Sequence, residues 1–505
     1  MRILLASSEI HPYSKTGGLA DMAGALAKSL ARAGHRVGVV TPLYRGILER
    51  FPEVHRLDWE LNLPVGSETV QGEVWIREFG DGLTFYFIHQ PDYYQREHLY
   101  HDRDGDYPDN AERFIFLSKA VVHLARYLPW LPELVHVHDW QVGLVPVMIL
   151  NQRERGGWGN APRTCLTIHN LAYQGNFPAA AYNLTNLPPD YFHLEGAEFY
   201  GGLSCLKAGI SYANMITTVS PRYAREITTE QFGCGLDGAL RRRQADLVGI
   251  LNGVDYDEWN TVDNPYLKHG YAADDLSGKH QEKVDLQKEL GLPADPKIPL
   301  FGNISRLAEQ KGVDIQLGAL EEMLAAQMQF VLLGSGASDY ERAYRRLVDR
   351  YPGKAAVKIG FDQGLSHRIE AGSDFYLMPS RFEPCGLNQM YSLRYGTVPI
   401  VRVTGGLDDS VVDISERPAE ANGIKFSEYS VRALAKGIRK ALILWQEPEL
   451  MEHYRRNGML RDFSWKQTTA QYERAYQQFL NFPARTEPVN HPFAGSGFAV
   501  SAVPS

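Results

Sequence analysis

Residues 1–40 read MRILLASSEI HPYSKTGGLA DMAGALAKSL ARAGHRVGVV. Residues 3–7 are an apolar run with polar neighbours, which predicts a buried strand. A glycine-containing loop, KTGGLADM, follows. Over 21–33 the apolar residues Met22, Leu26 and Leu30 recur at helical spacing, and Gly34 supplies a stop. Residues 36–40 read as a second strand. Strand, loop, helix, strand is a βαβ unit, and a βαβ unit implies a parallel sheet.

The pattern continues outward from this unit. Strands are expected at 135–138, ending in His-Asp-Trp, at 165–168, ending in His169-Asn170, and at 215–219. The Pro-, Tyr- and Asn-rich stretch 176–202 reads as loop with short helices. A second series begins near 297: strand 299–304, helix 313–325, strand 330–333 ending in Gly-Ser-Gly, strands 357–360 and 375–378, helix 386–395, and strand 398–403 running into TGGLDDSV. The fold class is therefore α/β, with two doubly wound halves. The boundary is expected near 246–254, where NGVD opens a loop-rich connection, giving domains 1–246 and 247–460. A last helix is expected over 467–480, with Tyr472, Ala475, Tyr476 and Phe479 as its packing positions. The Pro-, Gly-, Ser- and Ala-containing tail 483–505 is expected to be poorly ordered.

Composition bounds the function. The chain has 505 residues, too many for one core, and 44% of them are hydrophobic, enough to build two without a metal or disulfide staple. A net charge of −8 argues against nucleic acid or an acidic membrane surface as the main partner, but leaves room for a local cationic cluster around an anionic ligand. The four cysteines, Cys165, Cys205, Cys234 and Cys385, form no Cys-x-x-Cys pair, which speaks against a metal site and for a reducing compartment. Glu9 interrupts the first apolar run, so the N-terminus reads as a strand rather than a signal peptide. The run 142–150 is too short to span a bilayer, and a cytoplasmic protein is expected.

Several loops carry chemistry. In KTGGLAD the glycines let backbone approach a ligand, the helix start offers free N–H groups, and Lys15 adds a charge. The alternative is a structural turn; either way the segment lacks the Gly-x-Gly-x-x-Gly of a nicotinamide enzyme. SRLAEQKG places Arg306 and Lys311 on a strand-to-helix loop, where open α/β sheets bind ligands. Arg can fork onto phosphate oxygens and Lys acts as a point charge, against the alternative of two solvated surface cations. PSRFEPCGL sets Glu383 just before another helix start, placed for a sugar hydroxyl or a developing cation, against the alternative of a surface charge. Cys385 there reads either as a thiol acidified by the helix start or, preferably, as a packed one. His138-Asp139-Trp140 and His169-Asn170 end two strands of the first half, the end where function collects; the alternative is a pair of satisfied structural histidines.

In this order, KTGGLAD, HDW, HN with LAYQG, LKAGI, NGVD, SRLAEQKG, PSRFEPCGL and TGGLDDSV resemble the glycogen and starch synthases that use ADP-glucose, retaining glycosyltransferases of the two-domain GT-B fold. The resemblance covers residues 1 to about 480. It implies glucose transfer from ADP-glucose to the non-reducing end of an α-1,4-glucan such as glycogen, with no cofactor and no metal. It also implies roles. Lys15, Gly17 and Gly18 lie against the diphosphate and the transferred glucose. Arg306 and Lys311 hold phosphates. Glu383 contacts the glucose ring, helped by the backbone of Cys385, Gly386 and Leu387. His169 touches the sugar near the scissile bond. Asp139 and Asp21 face the sugar and acceptor, Asn252 of NGVD joins the substrate site, and Phe361 stacks on the base. The helix in 461–482 is expected to cross back to the first domain.

Three positions depart from the family pattern. Ala308 stands for Thr or Val, Asn388 for Thr, where phosphate contacts are at stake, and Asp408 for Ala. A retaining glycosidase would set two carboxylates close together, and no such pair is evident. The expected route is front-face attack through an oxocarbenium-like transition state, with the leaving diphosphate stabilised by cations and helix starts. Two other readings remain at this point: a related transferase using UDP-glucose or a small acceptor, and a non-catalytic glucan-binding scaffold. Fold alone does not separate them.

Overall fold

The computed structural model describes residues 1–481 apart from Asp104. The tail expected to be poorly ordered lies outside the described residues.

The first half is built on β1 (Arg2–Ala6), β2 (Arg36–Pro42), β3 (His55–Val65), β4 (Glu68–Phe79), β5 (Leu83–His89), β6 (Leu134–His138) and β7 (Arg163–Ile168). Short strands β8 (Asn176–Phe177), β9 (Glu198–Phe199) and β10 (Gly202–Ser204) come next, then β11 (Met215–Thr218) and β12 (Leu247–Gly249). The main sheet has nine strands in the order β12-β11-β7-β6-β1-β2-β5-β4-β3. β1 pairs in parallel with β2 on one side and β6 on the other, Ile3 facing both Val37 and Leu134. Its residues from Ile3 to Ala6 are fully buried, as a strand covered on both faces requires.

The βαβ reading of residues 1–40 holds, with the helix starting earlier than its apolar period, at Gly18–Arg32. Antiparallel β3 and β4 lie outside the expected alternation. Their signal is a different period: Leu57, Trp59, Leu61, Leu63 and Val65 alternate along β3, and the inward members pack on the helix Asn110–Tyr127. The stretch 176–202 also differs from expectation. Besides the short 3-10 helices Ala179–Thr185 and Pro189–Tyr191 it forms the antiparallel sheet β8-β10-β9.

The second half contains β13 (Leu300–Leu307), β14 (Gln329–Gly336), β15 (Ala355–Ile359), β16 (Phe375–Met378), β17 (Val398–Arg402) and β18 (Ile424–Phe426). All pair in parallel, in the order β15-β14-β13-β16-β17-β18. That is the doubly wound order whose direction reverses between the first strand, β13, and the fourth, β16. The helix expected at 386–395 is shorter, Asn388–Arg394, so Gly386 precedes it in the left-handed region at φ 73°. The helix expected at 313–325 ends at Met323.

Two junctions between the halves stand out among the described residues. Glu226, at the end of the helix Pro221–Glu226, accepts from Gly405 N at 3.0 Å and from the Thr404 hydroxyl at 3.3 Å, capping the helix Gly405–Ser410 of the other half. Asp408, one of the departures from the family pattern, belongs to this junction: it pairs with Lys425 at 2.8 Å and with Arg222 at 3.6 Å. The last helix, Trp465–Asn481, packs on Gly18–Arg32, where Thr469 Oγ1 donates to Ser29 Oγ at 2.7 Å and Glu473 meets His35 at 2.8 Å. Its Tyr472 and Tyr476 are fully buried in the core of the first half. Among the described residues no helix is long and apolar enough to cross a membrane.

Candidate functional site

In open α/β sheets the groove beyond the carboxyl ends of the strands is widest where strand order reverses. Both sheets have such a point, between β1 and β6 and between β13 and β16, and the two face one crevice of ≈ 1090 Å³.

The first wall starts from β1. Glu9 follows the strand and is almost wholly buried. Its carboxylate accepts from Thr16 N, from the Thr16 hydroxyl at 2.8 Å, from Gly17 N at 3.3 Å and from Tyr100 OH at 2.9 Å. It thereby shapes the KTGGLAD loop at the start of Gly18–Arg32. β6 ends at His138, and Asp139 turns the chain with φ 60° and ψ −170°, a region nearly restricted to glycine and worth about 1–3 kcal/mol of strain. Asp139 Oδ1 accepts the His169 backbone N–H at 2.7 Å. Burial pushes its carboxyl up to about 7, against the pull of the His169 and Asn170 amides. His169 ends the neighbouring strand β7. Burial lowers its imidazole to about 3, so it is neutral at physiological pH.

The second wall is cationic. Arg306, near the end of β13, is exposed and makes no ion pair with any described residue. Lys311 sits in the next turn, and its ammonium meets Glu383 Oε2 at 2.6 Å. Gly312 fixes that turn: its φ is 71°, and a Cβ there would collide with Pro379 O. Glu383 is largely buried and also accepts from Ser380 Oγ at 3.0 Å. Cys385 is packed, and burial lifts its thiol to about 12, so the acidified-thiol alternative fails. Asn388 directs its amide to Ile304 O and Tyr376 OH, both at 2.7 Å, and so braces the end of β13 rather than reaching outward for phosphate.

The crevice gathers Gly17, Gly18, Asp139, His169, Asn252, Arg306, Lys311, Glu383, Cys385, Gly386 and Leu387. The side-chain oxygen of Asn252 is buried in this lining without a hydrogen-bond partner among the described residues. Three expected residues stand outside the lining. Lys15 and Asp21 pair with each other at 2.8 Å, and Phe361 lies 90% exposed on the loop after β15. Glu9 and Tyr100 are among the lining residues that the sequence did not mark as part of the site. Glu9 registers there only as the break in an apolar run; its position just past the first strand of a βαβ unit is the signal that finds it. Tyr100 lies in an irregular loop and has no such signal. Among the described residues no group of three or more His, Cys, Asp or Glu is placed to hold a metal.

Comparison with known proteins bears on this geometry. The family profile described as "Starch synthase catalytic domain" matches residues 2–242, and that described as "Glycosyl transferases group 1" matches 285–460. The chain is 46% identical over 483 residues to a glycogen synthase of Anaeromyxobacter sp. strain Fw109-5, covering 94% of this chain and 99% of the relative. It is 44% identical over 478 residues to a glycogen synthase of Koribacter versatilis, covering 95% and 98%. Among solved structures it resembles the catalytic domain of Starch Synthase IV from Arabidopsis thaliana bound to ADP and acarbose, with a TM-score of 0.85, 32% identity, and 95% and 99% of the two chains covered. Sucrose-phosphate synthase from Thermosynechococcus elongatus shares the fold, at a TM-score of 0.60 and 18% identity over 94% and 98% of the chains.

Proposed function

The chain belongs to the glycogen and starch synthase family of GT-B glycosyltransferases, and from that premise we propose that it transfers glucose from ADP-glucose to the non-reducing end of an α-1,4-glucan, with retention, in the cytoplasm. The observation that carries the reading is the pairing of two unlike walls across one crevice. Arg306 and Lys311 stand at one strand-order reversal and Asp139 at the other, with His169 beside it at the end of the adjoining strand β7.

The diphosphate binds the cationic wall. Lys311 already lies against Glu383. An arriving phosphate competes for the ammonium and leaves Glu383 to accept sugar hydroxyls. Gly17, Gly18 and the backbone of Cys385, Gly386 and Leu387 let the donor approach closely. Asn252 offers an acceptor that lacks a partner among the described residues. The acceptor's 4-hydroxyl attacks the anomeric carbon from the face the diphosphate leaves. The bond from that carbon to the phosphate oxygen breaks, and the leaving diphosphate takes the electron pair and the hydroxyl proton. Charge grows on the diphosphate, so Arg306 and Lys311 stabilise the transition state more than the ground state. Charge on the sugar is positive, and the first wall meets it with a neutral imidazole and the Asp139 carboxyl, whose ionised share grows as pH rises through about 7. Closure of the halves over the donor brings Lys15 and Phe361 towards it and excludes water.

The relatives' names support glycogen as acceptor, and the ADP in the Arabidopsis structure's title supports adenine in the donor. The test is nucleoside-diphosphate release by purified protein with glycogen, supplied with ADP-glucose or UDP-glucose. Rapid release from ADP-glucose with growth of the glucan is expected, and little from UDP-glucose. The reverse preference would replace the donor, and silence with both would favour the scaffold reading.

A further inference from the structure

Beneath the crevice-facing His169 lie two more histidines, His136 and His138, both fully buried on β6. His136 is engaged at both ring nitrogens. Its Nδ1 meets Tyr476 OH at 2.8 Å and its Nε2 meets Thr167 Oγ1 at 2.6 Å. His138 packs on that ring, centroids 4.3 Å apart, and among the described residues its ring has one hydrogen bond: Nδ1 to His169 Nε2 at 3.0 Å. Its other nitrogen, Nε2, is buried without a partner among the described residues. Burial holds all three imidazoles neutral, so each carries one N–H and one bare nitrogen.

The contact between His138 and His169 contains one proton, and it belongs to one ring or the other. If His169 donates, His138 must carry its own proton on Nε2, burying an N–H with nothing to accept it. If His138 donates, its Nε2 is a bare acceptor. Buried orphan N–H groups are the rarer case in proteins, and an orphan acceptor is the better tolerated.

We propose that His138 is a positioning residue for glucosyl transfer: its Nδ1–H donates to His169 Nε2 and holds His169 as the Nδ1–H tautomer, a neutral donor for a sugar oxygen in the crevice. The neighbouring residue completes the grip. Asp139 holds the His169 backbone N–H at 2.7 Å while His138 holds the ring, so two consecutive residues at the end of β6 fix one residue at the end of β7. Among the described residues His169 Nδ1 makes no hydrogen bond, which leaves that N–H for a ligand. The consequence for turnover rests on the function proposed above; the tautomer does not.

The test has two arms on the full chain. In protein labelled with ¹⁵N-histidine, long-range ¹H–¹⁵N spectra distinguish bare from protonated ring nitrogens, and the H169N variant assigns the residue. His169 is expected to show a bare Nε2 and a protonated Nδ1, unchanged between about pH 6 and pH 8. A proton on Nε2 would overturn the assignment. In the kinetic arm, H138L is expected to lose about tenfold in kcat, the scale of one neutral hydrogen bond, with KM for donor and glucan nearly unchanged. H138N, whose side-chain amide can replace the Nδ1–H donor, should recover most of the loss. A folded H138L with wild-type kcat, or an H138N as slow as H138L, would overturn the positioning role. Wild-type protein that shows the expected tautomer but moves no glucose would instead overturn the function reading. The wild-type spectrum depends on no variant's folding.

Discussion

The two walls of the crevice occupy equivalent places in their sheets and are built from opposite materials. The wall from β13 and β16 offers Arg306 to solvent and a lysine held by one carboxylate. The wall from β1, β6 and β7 buries its polar groups so deeply that its histidines are neutral and its aspartate titrates at about 7. Equivalent geometry therefore does not dictate equivalent electrostatics; burial and neighbours do. One wall suits an anion that must be held as charge grows, the other a neutral sugar whose hydroxyls must be oriented.

Removing a cation from the second wall should give the largest effect. Lys311→Ala or Arg306→Ala is expected to lower turnover by about 10²-fold, the usual scale for a group that stabilises transition-state charge. Nucleoside-diphosphate release at saturating donor reads it, and a folded variant near the wild-type rate would erase the contrast between the walls.

The first wall should answer to pH instead. The folded pKa of Asp139 is raised, so the stability it contributes is full below the unfolded carboxylate range, near pH 4, and is lost as pH rises through about 7. Asp139→Asn does not titrate. Its stability relative to wild type should therefore rise by about 2 kcal/mol between pH 5 and pH 8. Urea unfolding at the two pH values measures this, and a constant difference would mean Asp139 is not held protonated by burial.

A smaller effect is expected beneath that wall. Tyr476→Phe removes the 2.8 Å bond to His136 and should cost about 1 kcal/mol of stability with kcat unchanged. A change in kcat without loss of stability would mean the last helix acts on the chemistry and not only on the core beneath it.

Much of this contrast is legible in sequence, for reasons specific to each wall. Arg306, Lys311 and Glu383 are strongly polar residues at the ends of apolar runs, and the period of the runs places them at strand ends. The βαβ unit of residues 1–40 is equally plain because its strand is buried on both faces. Antiparallel β3 is harder, since its period-two alternation yields an edge element without the strand–helix rhythm that marks the rest. The environment of a residue is hardest of all. Nothing in the letters HDW says that His138 is sealed against His136, that Asp139 adopts a backbone conformation suited to glycine, or that Glu9 holds the amides of the following loop; each depends on contacts across strands far apart in the chain. The chemistry of Cys385 likewise depended on burial, which a helix-start argument does not supply. Phe361 illustrates the reverse limit: its motif position is clear, and the structure places it on an exposed loop away from the crevice lining.

The most direct test of the central claim follows the glucose itself. Glycogen is incubated with the protein and ADP-glucose labelled with ¹³C at the anomeric carbon, and the product is examined by NMR. The account predicts label in new α-1,4 linkages at non-reducing ends, in step with ADP released. Label appearing only as free glucose, in β linkages, or not leaving the donor at all would contradict it.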